Sequence, residues 1–141
     1  MEFLKQYDVL YKKAKVDFNT AKVVLESFEN GNIELDLEVV YFHLQQCTEK
    51  LFKSLLSFYK QHFTKTHDLL TLFNAIKQQN IKIDNIDIEF LLPLSEYAVE
   101  GRYSIIHDDL NDTDMYIKIL EDLLTFVKLE IAKKGNHNAK R

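Results

Sequence analysis

One proline, three glycines, one cysteine and no tryptophan occur in 141 residues. So few breakers, beside abundant Leu, Lys, Glu and Ile, exclude a turn-rich fold and imply long helices. The lone Cys47 excludes an internal disulfide and points to a reducing cytoplasm. It sits in an apolar helical pattern with no ligand cluster beside it, which makes it an inert core residue rather than a catalytic thiol. No apolar run reaches the roughly 18 residues of a membrane span, so no membrane partner is expected. The start Met1-Glu2-Phe3-Leu4-Lys5 lacks the features of a signal peptide. There is no Gly-rich phosphate loop, which excludes ATP hydrolysis of the common kind. His43 and His62 have no partner at metal-ligand spacing, so neither a metal nor a cofactor is expected. Arginine is the last scarcity: against sixteen lysines there are only Arg102 and the terminal Arg141.

The length fits one domain, with 46% apolar and 28% charged residues as in ordinary globular chains. Residues 1–134 are expected to form it, and 135–141 to be a basic, disordered tail. The net charge of −4 is unevenly spread: from Asp84 to Asp122 eleven acidic residues face Arg102 and Lys118, a local balance of −9. That surround is poor for grasping nucleic acid by bulk electrostatics. No DNA partner is expected, and RNA would be held by local contacts or by lysines from other helices.

Leu4, Tyr7, Tyr11, Ala14, Phe18, Ala21, Leu25 and Phe28 recur every three or four residues, the pattern of a long amphipathic helix that Asn30-Gly31 can stop. Leu37, Tyr41, Leu44, Thr48, Leu51, Leu55 and Phe58 mark a second helix over about 35–60. Leu69, Leu72, Phe73 and Ile76 give a shorter third, with Thr66 as its cap and His67 as a helix-start and packing residue. A fourth starts near Asp87, with Pro93 in its first turns or at a bend. The last carries Tyr116, Ile119, Leu123, Phe126 and Val127, capped by Asn111, Asp112 or Thr113 and closed by Gly135. No stretch alternates with period two. The expected fold is an all-α, antiparallel up-and-down bundle of four to five helices.

If the fourth helix continues, its apolar face runs Leu91, Ser95, Ala98, Arg102, Ile106 and places Arg102 on the buried stripe. A buried guanidinium needs a carboxylate or a phosphate. His107 would lie roughly 140° from it on an ideal helix of roughly 100° per residue. One straight helix would not aim both groups at one atom. Two copies about a two-fold axis could, and a helix broken near Gly101 or after His107 is the alternative. A neutral imidazole can take the proton of a ribose 2′-OH while a guanidinium offsets charge on the phosphate, which needs no metal. Asp108 and Asp109 could orient His107 or raise its pKa, or serve as capping or solvated residues.

Three segments together are similar to the HEPN domain family (higher eukaryotes and prokaryotes nucleotide-binding). They are Tyr41-Phe42-His43-Leu44-Gln45-Gln46-Cys47-Thr48-Glu49-Lys50-Leu51-Phe52-Lys53, then Thr66-His67-Asp68-Leu69, then Arg102-Tyr103 with His107. The resemblance covers nearly the whole chain and implies a helical bundle that dimerises through the motif-bearing helices. It also implies a metal-independent endoribonuclease, often a toxin neutralised by a minimal nucleotidyltransferase. Carried over, Arg102 and His107 are the catalytic pair. Gln46, Lys50 and Lys53, which share a helix face that could also be simply solvated, and Tyr103 are the candidate substrate contacts, RNA or a nucleotide being the ligand. Glu49, as the carboxylate pairing with Arg102, and His67 and Asp108 are supporting residues.

Two departures shape the alternative. Ribonuclease members carry a small polar residue after the Arg, where this chain has Tyr103. Toxins modified by their nucleotidyltransferase carry a Tyr two residues after the His, where this chain has Asp109. The Arg-Tyr form resembles a branch of nucleotide- or substrate-binding companions. The competing expectation is therefore a non-catalytic module that binds a nucleotide or a nucleotidyltransferase.

Overall fold

The computed structural model describes residues 5–31, 34, 37–63, 65–83, 85–99 and 112–133. Arg102, Tyr103, His107, Asp108 and Asp109, and the tail 135–141, lie outside the described residues. Within them the chain forms α1 (Gln6–Glu29), α2 (Leu37–Phe58), α3 (Leu69–Gln78), a 3₁₀ helix (Ile88–Tyr97) and α4 (Thr113–Ile131), with no strand. The all-helical bundle expected from the periodicity is the fold observed.

Helix α1 buries Ala14, Phe18, Ala21 and Leu25, the middle of its apolar stripe, and ends where expected. Gly31 takes φ +71°, a left-handed backbone that costs glycine nothing. Helix α2 is the centre of the molecule and packs against all four other elements. Its buried residues therefore spread beyond one stripe, from Leu37 and Val40 to Phe52 and Leu56. It ends with Lys60 left-handed at φ 60°. Gln61 N–H bonds Leu56 C=O at 2.8 Å and Lys60 N–H bonds Ser57 C=O at 3.0 Å, so the last carbonyls are satisfied without a glycine.

Helix directions follow from which ends meet. The rings of Tyr7 and Phe58 pack edge to face at 5.1 Å, start of α1 against end of α2, so these two are antiparallel. Helix α4 runs parallel to α2: Thr113 bonds Tyr41 at its start, and Glu130 accepts from Tyr59 at its end. The segment through α3 and the 3₁₀ helix carries the chain back to make this possible.

Two expectations are corrected. The cap of α3 is Asp68, not Thr66: the Asp68 carboxylate accepts from Thr71 N–H at 3.3 Å, while Thr66 Oγ1 accepts from Asp68 N–H at 3.0 Å. Asp68 stands three residues before that donor, the reach of a capping side chain, and Thr66 instead tightens the approach. Asp68→Ala is expected to cost about 1 kcal/mol, read as a drop in urea midpoint. The fourth helix is a 3₁₀ helix. In an α-helix Pro93 would lack its ladder bond and clash with the carbonyl of Glu89; the tighter winding avoids that carbonyl. Its buried residues Ile88, Leu91 and Leu94 accordingly repeat every three residues. The α-helical stripe that would have carried Arg102 inward does not exist up to Tyr97. Helix α4 ends at Ile131, ahead of Gly135, with Asp112 at its N-cap making no side-chain cap bond.

Candidate functional site

A helix surrounded on every side must satisfy its own polar groups inside the protein. Gln45 and Glu49, one turn apart on α2, are both buried. The side chain of Glu49 keeps only 6% of its exposure. Its Oε2 accepts from Lys53 Nζ at 2.8 Å, and its Oε1 accepts from Gln45 Nε2 at 3.0 Å and from His67 Nδ1 at 2.9 Å. Gln45 Nε2 also reaches the carbonyl of His67 at 3.3 Å, and its Oε1 accepts from Gln46 Nε2 at 2.7 Å. The network ties the middle of α2 to the residue that precedes the α3 cap. Lys53 lies 5.8 Å from the centre of the Phe63 ring, so its charge is shared between a carboxylate and an aromatic face.

Burial alone would push the Glu49 carboxyl up, but the bonds from Lys53, Gln45 and His67 outweigh it and hold the group below the usual carboxylate range. An ionised carboxylate only accepts, so the His67 nitrogen facing it, Nδ1, carries the proton. In the neutral ring Nε2 is then the basic nitrogen. The His67 side chain is 64% exposed, so that nitrogen belongs to an oriented imidazole open to solvent.

The other side of α2 carries a second cluster. Asp17 of α1 accepts from Lys50 Nζ and from His43 Nδ1, the latter at 3.0 Å. Gln46, Lys50 and Lys53, read from the sequence as one face, are thus bonded to three different groups: Gln45, Asp17 and Glu49. Glu49 has its three donors within the described residues, and His67 is an exposed hydrogen-bonded ring rather than a packing residue. Asp17, Gln45 and the His43 bond were missed. Their signal was an i, i+7 pair on α2, His43 and Lys50, facing a lone acid in the apolar stretch of α1. Cys47 is fully buried, and burial, then Asp17, pushes its thiol far up, away from the reactive thiolate.

The described residues on either side of the stretch 100–111 come together at Tyr41, in the first turns of α2. Before it, Tyr97 packs on the Tyr41 ring at 5.1 Å. After it, Thr113 Oγ1 is 2.9 Å from the Tyr41 hydroxyl and Tyr116 packs edge to face on the ring at 6.0 Å. One turn before Tyr41 stands Glu38, a carboxylate buried to 3% exposure. Among the described residues no three His, Cys, Asp or Glu are grouped to hold a metal ion, and no helix is long and apolar enough to cross a membrane.

A bundle built round a central helix with an internal Gln-Glu-Lys network, joined through a histidine to the start of a capped third helix, defines a class of all-α domain. The family model of the HEPN domain matches residues 7–131. The chain belongs to the HEPN family. No curated protein and no solved structure matches it.

Proposed function

We propose that the protein is a metal-independent endoribonuclease that works as a homodimer, the toxin half of a pair with a minimal nucleotidyltransferase. The observation that carries this reading is that Arg102 and His107, separated by four residues, fall inside the stretch that matches the family. In the reaction, neutral His107 removes the proton of a ribose 2′-OH, the oxygen attacks phosphorus, and the 5′-oxygen leaves with a proton returned from imidazolium. The products are a 2′,3′-cyclic phosphate and a 5′-hydroxyl. Arg102 offsets the charge that grows on the phosphoryl oxygens.

The carboxylate we assign to steady Arg102 is Glu49, which also accepts from Lys53, Gln45 and His67. Tyr103, Gln46, Lys50 and Lys53 contact the substrate in this reading, the last three from side chains already bonded to Gln45, Asp17 and Glu49. Residues 1–134 form the catalytic domain, with the basic tail outside it.

The test is incubation of RNA with the protein in EDTA. Cleavage leaving cyclic phosphate ends is expected, and loss of it in Arg102→Ala and His107→Ala proteins that keep their circular dichroism and dimer mass. Intact RNA with the unaltered protein would refute the nuclease. A second reading, a non-catalytic module that binds a nucleotide or a nucleotidyltransferase, is favoured by Tyr103 after the arginine and by the two lysines spent on Asp17 and Glu49. Intact RNA together with retention of nucleotide by the protein would select it.

A further inference from the structure

The surface between α1 and α4 carries an open groove of about 500 Å³, floored by Tyr11, Phe18 and Leu124. Asn19, on its rim, also lines a neighbouring, shallower hollow of about 420 Å³ on α1, walled by Val16 and Val23. Val16 and Val23 are each 64% exposed, and Leu129, on the groove wall, is 63% exposed. These are three of the six large apolar side chains that stand exposed among the described residues, and Asn19 lies between the hollow of Val16 and Val23 and the groove of Leu129. Exposed aliphatic surface beside a groove marks an interaction site.

The charges on the wall choose the occupant. Lys15 and Lys128 stand on opposite sides, one from each helix. The acid on the wall, Glu121, lies 3.9 Å from Lys22 and is partly offset by it. The groove is therefore an apolar trough with cationic margins, complementary to an apolar stripe with acidic flanks. A second copy does not meet this need, because the same lining brought by a mate offers two lysines against one acid, Glu121, which already faces Lys22, and so supplies no surplus of carboxylate. Single-stranded nucleic acid fits poorly as well. It needs open ring faces for stacking, and of the two rings in the groove Phe18 is buried and Tyr11 half-buried.

We propose that the α1/α4 groove docks an amphipathic helix of a partner protein, with its aliphatic face on Val16, Val23 and Leu129 and its Asp or Glu flanks against Lys15 and Lys128. The surface lies on α1 and α4 and does not depend on whether the protein cleaves RNA.

The experiment uses two stapled helical peptides about five turns long, with leucines at every third or fourth position. One is flanked by Glu and the other by Lys, and binding to the full-length protein is read by fluorescence anisotropy. The Glu-flanked peptide is expected to bind about tenfold tighter, with the order reversed in Lys15→Glu/Lys128→Glu protein. Leu129→Ser/Val23→Ser protein should weaken the Glu-flanked peptide by a similar factor. All four substitutions are at exposed positions, and thermal melts check that the fold persists. Equal binding of both peptides, with no response to the charge reversal, overturns the proposal. So does displacement of the Glu-flanked peptide by single-stranded RNA, or conversion of a dimer to a monomer by Leu129→Ser/Val23→Ser.

Discussion

Glu49→Ala is expected to destabilise the protein by about 3 kcal/mol, because it leaves the Lys53 ammonium in a mostly buried position without its carboxylate. Gln45 Nε2 and His67 Nδ1 lose their acceptor in the same step. The attraction between Glu49 and Lys53 is not itself worth that amount, since both ions were taken out of water to form it. The double variant Glu49→Leu/Lys53→Met should accordingly recover most of the loss, and urea unfolding of the two single variants and the double variant yields the coupling. Glu49 also sets part of the pH response. Its carboxyl titrates lower in the folded chain than its ordinary value of about 4.3 in the unfolded chain, so the unfolded state binds the proton first. The stabilisation is complete above that ordinary value and disappears as pH falls through the folded one. A Glu49→Gln protein should therefore lose stability less steeply below about pH 4 than the parent. Equal slopes would show that Glu49 is not held low by its donors.

Phe52→Ala is the larger effect, about 4 kcal/mol. Phe52 is fully buried on the central helix and stacks on Phe73 of α3, with centroids 6.0 Å apart and planes 24° from parallel. Truncation removes the transfer free energy of the ring and leaves a cavity walled by α2 and α3, which cannot both close onto it while Gln45, Glu49 and His67 pin the start of α3 to α2. The expected observation is a fall in urea midpoint at unchanged slope, with Phe52→Leu costing less because it fills much of the space. A changed slope would mean that α3 has detached rather than that a cavity has formed.

The chain itself shows how far pattern reading carries. Every residue of the second apolar stripe, from Leu37 to Phe58, is buried, as are Leu69, Leu72 and Ile76 of the third. Periodicity finds these because burying one face of a helix is a local demand repeated every turn. It placed the fourth element correctly but missed its winding, because a prolyl ring changes the period from 3.6 to about 3 residues per turn. The cap of α3 was misassigned by two residues because Thr66 and Asp68 are both good capping types, and only backbone geometry decides which one faces the open N–H groups.

What the sequence determined by itself is the helical class and the family, since these depend on residue type and on spacing along one chain. Only the tertiary structure decided the pairings. Lys50 could meet Asp17, and Lys53 could meet Glu49, because α1 lies against one side of α2 while the entry to α3 lies against the other. Which charge neutralises which depends on distances of a few ångströms between segments far apart in the chain, and no local pattern encodes them.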